Sequence, residues 1–302
     1  MNLFQALINT VLPVFMLAGL GWVARVYLKA EVRDPSRLTI YIMTPGLIMN
    51  SILTSKLQAG EINKILGYEL LLTFLMIGLT FLIVRLLGWK PTERAAAMLS
   101  AGFMNCANYG LPVILLAFGQ AGFDRAAIFV VLQSILVYSV AAYIAASGQR
   151  GLGEAARAVV RLPLLWSALV ALAIRLLGIP LPEFVLKPIG LLANGAVVTV
   201  VLLLGMQVAS IKLKGARVKI GVATLLRLVV SPVIGLGLVA LFKPDPLTAK
   251  ILVLESAMPV SVNASLLATE FGTEPDQVSG TVLVTTLLSL VSVSFWVWFL
   301  QR

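Results

Sequence analysis

Apolar runs of roughly 20 residues recur along this chain, set apart by short polar or Pro/Gly-marked gaps. That is the length an α-helix needs to cross about 30 Å of hydrocarbon. Ten such runs are read at about 3–24, 36–54, 65–87, 93–118, 123–146, 162–179, 184–208, 217–241, 247–271 and 277–300. The widest polar gap, 147–161, follows the fifth run and divides the chain into a first five-helix half, 1–146, and a second, 162–302. The pattern therefore predicts an all-α membrane protein with ten transmembrane helices. The first run has no basic segment before it, so it is expected to be a spanning helix rather than a removable leader.

Two runs are interrupted near their middles, at matching places in the halves. One carries Asn105-Cys106-Ala107-Asn108-Tyr109-Gly110-Leu111-Pro112, the other Glu255-Ser256-Ala257-Met258-Pro259-Val260-Ser261-Val262-Asn263. Proline removes a backbone donor and crowds the preceding turn, and glycine loosens a helix. Gly110, Pro112 and Pro259 are thus the expected helix-breaking residues, with unwinding near 108–112 and 258–263. Backbone groups freed inside a membrane must be covered by protein or line a polar cavity. A matched pair of interrupted helices is the best sequence pointer to the binding site of a secondary transporter.

The halves share weak register. Trp89-Lys90-Pro91 and Phe242-Lys243-Pro244, Gly119 and Gly272, and Pro35 and Pro188 are each separated by the same offset, 153 residues. An odd number of spans per copy makes the second copy enter from the opposite face, so the expected arrangement is two inverted five-helix repeats.

Composition agrees with a membrane location: 60% of residues are hydrophobic and 12% charged, about half the charge of an ordinary soluble domain. The net charge of +10 does not point to nucleic acid, because the basic residues lie in short loops between apolar runs. Counted by loop, fourteen Lys and Arg fall on one side and eight on the other, with Arg227 inside a span. The richer side is expected to be cytoplasmic, which puts both termini outside the plasma (inner) membrane. There is no histidine and one cysteine, Cys106, so no metal centre, internal disulfide or Ser-His dyad is expected, and no enzyme.

Several of these stretches resemble the auxin efflux carrier family. Ala257-Met258-Pro259…Ala268-Thr269-Glu270-Phe271, with Asp276 and Ser279-Gly280 following, is similar to the family's ninth-helix pattern. Phe103-Met104-Asn105…Gly110-Leu111-Pro112 is similar to the fourth-helix pattern, with Met104 where plant members carry proline. Ser36-Arg37-Leu38…Thr44-Pro45 and Leu204-Gly205-Met206 resemble the second and seventh helices. The resemblance implies a transport domain and a scaffold domain, each drawn from both repeats, with helices 4 and 9 crossing at their breaks. It also implies a fold akin to bile-acid sodium symporters and sodium/proton antiporters, working by an elevator form of alternating access. A secondary-active or facilitative carrier of small organic anions, auxin-like or dicarboxylate, is the expected function. A sodium-coupled symporter of the bile-acid type is one alternative, and an anion channel is another.

Asn105 and Asn108 serve either to cap a broken helix or to donate to a substrate carboxylate, and Ser261 and Asn263 mirror them in the second break. Tyr109, Asn50 and Gln207 complete the candidate substrate site. Glu255 is an acid well inside a span, where an unpaired charge is costly. It stands either as a partner of Arg227, as a sodium ligand with Met258 beside it, or as a proton carrier. No other cofactor is expected. The expected partners are the bilayer and an organic anion, with a homodimer as the candidate assembly. Gly19, Gly21, Gly78, Gly235 and Gly237 are read as close helix-packing positions.

Overall fold

The computed structural model describes residues 2–55, 57–146, 160–211 and 216–302. Most of the connecting segment expected at 147–161 therefore lies outside the described residues. Among them the chain is helical, and its single β-bridge joins Met104 to Val260. The helices are α1 (Leu3–Val26), α2 (33–54), α3 (Ala59–Leu86), α4 (Pro91–Gly102), α5 (106–118), α6 (120–145) and α7 (Pro163–Leu176). They continue with α8 (Glu183–Ala209), α9 (Arg217–Phe242), α10 (Pro246–Ser256), α11 (Val262–Phe271) and α12 (Pro275–Leu300).

Six described segments are long and apolar enough to cross a membrane: α1, α3, Cys106–Ala145, α8, α9 and α12. Leu12, Met16 and Leu20 on α1 and Leu287, Leu288 and Val291 on α12 remain exposed, as faces turned to lipid would be. Cys106–Ala145 is not one rod. Gly119 adopts φ 65°, ψ −164°, and Gln133 returns to bond the backbone of Met104. Twenty-nine residues of straight helix would hold those two roughly 43 Å apart. The chain therefore reverses at Gly119, and α6 runs back beside α5. The second half repeats this: Gly272 takes φ 67° and Thr285 returns to bond the Val260 amide at 3.2 Å. These are the glycines related by the 153-residue offset.

Pro112 departs from the sequence expectation, and three other prolines share its geometry. Pro13, Pro45, Pro112 and Pro232 each follow a single π-turn, at Leu7–Val11, Thr39–Met43, Cys106–Gly110 and Leu226–Val230. A proline cannot donate to the carbonyl four residues back, and its ring crowds that carbonyl. Widening the preceding turn to an i→i−5 bond, such as Leu111 N–H to Cys106 O, lets the helix pass through. At all four prolines the helix continues beyond the π-turn.

Side-chain bonds define two sets of helices. In one, α1 packs along α8, and α2 against α7 and α8. Gly21 and Gly205 bring the backbones of α1 and α8 together: a Cβ on Gly21 would lie 2.0 Å from the Leu202 carbonyl oxygen. Gly235 likewise clears Ser256 and the Tyr68 hydroxyl, whereas a Cβ on Gly19, Gly78 or Gly237 would meet nothing within 4 Å among the described residues. The other set holds α3–α6 and α9–α12. Lys219–Glu93, Thr92–Glu274 and Thr273–Ala145 tie its one end, Arg125–Asp245, Asp245–Glu61 and Gln301–Ala117 the other. Glu270 and Phe271 aside, no side-chain hydrogen bond or ion pair between described residues joins one set to the other. The contact between them includes the edge of Phe15 against Tyr109, centroids 6.0 Å apart.

Asp245 caps α10 in a loop outside the spans. Partial burial pushes its carboxyl up, but bonds from the Thr248 hydroxyl (2.5 Å) and N–H (3.0 Å), with Arg125 beside them, outweigh this and hold it at about 2. A depressed carboxyl contributes stability above its unfolded value and loses it as pH falls through the folded one. Wild type should therefore outlast Asp245→Asn in thermal unfolding at neutral pH, the gap closing between about pH 4 and pH 2. A gap independent of pH would contradict this.

Candidate functional site: the crossing of two interrupted helices

The first interruption lies at Phe103–Asn105, between α4 and α5, and not at Gly110 or Pro112. Residues 106–112 are helical because the π-turn absorbs Pro112. The second lies at 257–261, where Pro259 lacks an amide and disfavours helix at Met258. The extended segments cross and pair: Asn105 N–H donates to Pro259 O at 2.8 Å, and Ser261 N–H to Phe103 O at 3.0 Å. Backbone groups that leave two helices are thereby satisfied by each other.

Side chains from neighbouring helices hold the crossing. In the amide orientation that satisfies both ends, Gln133 accepts from Met104 N–H at 3.0 Å and donates to Glu69 at 2.9 Å. Asn105 accepts from Asn108 N–H at 3.3 Å, capping α5, while its buried Nδ2 has no partner among the described residues. Of the two roles the sequence allows this amide, the cap is formed by its oxygen, and its nitrogen takes no part in it. Two helix N-termini, of α5 and α11, begin at the crossing. Such ends carry partial positive charge and suit an anion.

A hollow of about 20 Å³ lies at the bridge, lined in part by Asn105, Asn108, Gln133, Ser261 and Asn263. Asn108, Ser134 and Asn263 also line an adjoining cavity of about 80 Å³ between the two helix sets, with Thr39, Tyr138 and Gln207. Gln207 borders in turn a vestibule of about 610 Å³ that reaches Arg25, Ser210 and Asp276 at one end of the bundle. Five of the expected substrate residues thus come together, and two do not. Tyr109 is buried with its ring against Phe15, and Asn50 faces Gly190 of α8.

Behind the crossing lie the buried acids. Glu255 is fully buried, and neither of its oxygens is hydrogen-bonded by a described residue. The ion pair with Arg227, one of the three readings of Glu255, is absent among the described residues: the guanidinium donates to Ala101 O (2.9 Å), Ser256 O and Ser231 Oγ, and its Nε has no partner there. Met258 is fully buried beside it. Glu69, on α3, is the residue sequence reasoning missed: it is fully buried, bonded to Gln133 and within electrostatic reach of Glu255. The third span was expected to start at 65, leaving Glu69 near its end. In fact α3 begins at Ala59, with Glu61 and Lys64 paired at 2.6 Å in its first turns, so Glu69 is ten residues deep.

Gly110 has a role other than breaking a helix. A Cβ there would stand 2.5 Å from Oε2 of Glu255. Gly110→Ala should cost about 1–3 kcal/mol, as overpacking does, and adding Glu255→Ala should restore most of it. Unfolding measurements on the single and double variants check this; an unchanged single variant would contradict it.

The family described as "Membrane transport protein" matches residues 6–155 and 152–297. The chain is 28% identical over 302 residues to an "Uncharacterized transporter" of Methanothermobacter thermautotrophicus, covering 97% of this chain and 98% of the relative. It is 24% identical to an "Uncharacterized transporter" of Methanocaldococcus jannaschii, covering 97% and 98%. A "Putative malonate transporter" of Rhizobium meliloti is 26% identical, covering 94% and 92%.

Proposed function

Since the chain belongs to the membrane transport protein family, of auxin efflux carrier type, we propose that it carries small organic anions by alternating access around the crossing. The cargo is a carboxylate, with dicarboxylates foremost because one relative is named for malonate. The observation that carries this reading is the free, buried Nδ2 of Asn105 at a cavity where two helix N-termini begin. An amide donor and two positive helix ends together replace part of a carboxylate's hydration.

The separation of polar bonds into two sets supports an elevator mechanism. The set with the crossing is interlocked at both ends, while its boundary with α1, α2, α7 and α8 lacks directional bonds among the described residues, Glu270 and Phe271 aside. In this reading α1, α2, α7 and α8 are the scaffold, and the rest moves as one body. Counting α4 with α5 and α10 with α11, the helices make ten crossings in two inverted repeats, whose matching reversals at Gly119 and Gly272 support the duplication. The end bearing Arg25, Lys90 and Lys219 faces the cytoplasm, with both termini outside the inner membrane. Glu255 and Glu69 are the groups on which a coupling proton would travel, with Arg227, Tyr68 and Cys106 the ionisable neighbours.

A thermal-shift screen of the purified protein against mono- and dicarboxylates tests the reading. A cargo that binds the folded state raises the melting temperature with concentration. Stabilisation by one carboxylate class, absent for matched neutral amides, is expected; equal response to both would sink the anion assignment.

A further inference from the structure

Two half-helices, α4 and α10, end at the crossing with their C-termini, and an isolated helix end there would expose unbonded carbonyls and partial negative charge. Arg227 answers both. It is fully buried on α9, and one guanidinium spans the two ends, donating to Ala101 O at 2.9 Å and to Ser256 O. Ser231 completes the clasp, accepting from Arg227 and donating to Ser256 O at 2.8 Å. Arginine keeps its charge in any environment a protein offers, and its planar fork suits carbonyls held in a fixed geometry.

The same arrangement tests whether a sodium ion fits at the second break. A hard cation needs several oxygen ligands. The carbonyl of Glu255 accepts from Met258 N–H at 3.1 Å, that of Pro259 from Asn105 N–H, and that of Ser256 from Arg227 and Ser231. Met258 offers a thioether, a soft ligand. The Glu255 carboxylate and the carbonyls of Ala257 and Met258 accept no hydrogen bond among the described residues, but the Arg227 guanidinium already stands at the Ser256 carbonyl between them, and no group of three acidic, His or Cys side chains gathers among those residues. These residues do not fit a bound alkali cation.

We infer that Arg227 is the resident cation of the crossing, a positioning residue that fixes both half-helix ends and makes transport independent of sodium. The transport half of this statement rests on the carrier reading above; the cation half does not, because it can be read from stability without any cargo.

The experiment uses the full chain, in detergent for melting and in proteoliposomes for carboxylate flux, with sodium, potassium or N-methylglucamine chloride at equal ionic strength. Wild-type melting and flux should agree across the three within about twofold. Arg227→Ala should melt lower and lose flux by about tenfold or more, the scale of a lost hydrogen bond to a charged group. Guanidinium chloride at about 10 mM should raise the melting temperature of that variant while leaving or lowering that of wild type, since the ion can fill the vacated place. Arg227→Lys keeps a charge and donors, and should stay sodium-independent. Sodium-dependent wild-type melting or flux would overturn the inference, as would an Arg227→Ala variant indistinguishable from wild type, or one whose melting guanidinium fails to raise. If Arg227→Ala does not fold, the wild-type salt series and Arg227→Lys decide, a sodium requirement in either being fatal. Guanidinium rescue of melting with no flux for any carboxylate would uphold the resident cation and refute the carrier instead.

Discussion

Gly205→Ala is expected to prevent α1 and α8 from assembling. A Cβ at Gly205 would stand 1.8 Å from the carbonyl oxygen of Ala18 and 2.9 Å from the amide of Trp22. Both are backbone atoms, so no rotamer change relieves the clash; the helices must separate along their length. Separation also undoes the neighbouring approach of Gly21 to Leu202, so the cost should exceed the ~1–3 kcal/mol of ordinary overpacking. Gly237→Ala is the control. It too lies inside a helix but meets nothing within 4 Å, and should be neutral or stabilising by up to about 1 kcal/mol. Thermal unfolding of the two variants decides, and comparable melting would show that the α1–α8 contact can open at little cost.

Asn105→Ala is expected to weaken carboxylate binding by about 1.5–3 kcal/mol, the range for a hydrogen bond to a charged group, or roughly ten- to a hundredfold. It also removes the cap on α5, worth about 1 kcal/mol of stability. Asn105→Asp separates the two roles. The carboxylate still accepts from Asn108 N–H and faces two helix N-termini that offset part of the cost of its burial, so it should lose less stability than the alanine variant, but it cannot donate to an anion and repels it. Affinity measured by titration should therefore be lost in both variants and stability mainly in the alanine one. An aspartate variant that binds as wild type does would leave Asn105 with its cap alone.

How far the sequence could be read depended on whether the cause was local. The apolar helices long enough to cross a membrane and the break at Pro259 follow from hydropathy and from one residue's missing amide. The positive-φ reversals at Gly119 and Gly272 were marked by their common offset, since glycine alone takes that backbone cheaply. The first break was misplaced by several residues because it contains neither proline nor glycine. Phe103–Asn105 is held extended by pairing with 259–261 and by Gln133, partners 29 or more positions away. Gly110 and Pro112, the apparent breakers, are accommodated by a π-turn that no local rule forecast. Glu69 was hidden by the charges of Glu61 and Lys64, which made the helix look shorter. Arg227 was rightly placed at depth, but its acceptors are helix-end carbonyls, which composition does not advertise. Asn108, Ser261, Asn263 and Gln207 reach a cavity, whereas Tyr109 and Asn50 turn elsewhere on helices whose polar faces one sequence could not orient.

The central claim is that cargo crosses on a carrier whose single site faces one side at a time. Counterflow tests it most directly: proteoliposomes are loaded with unlabelled malonate, or with the carboxylate found in the thermal screen, and uptake of labelled substrate is followed. A carrier should return faster when loaded, so internal substrate should accelerate uptake and drive a transient accumulation of label above its equilibrium level, strongly reduced in Asn105→Ala. Uptake indifferent to the internal substrate, accompanied by unitary currents in planar bilayers, would mean a continuous anion channel and would contradict alternating access.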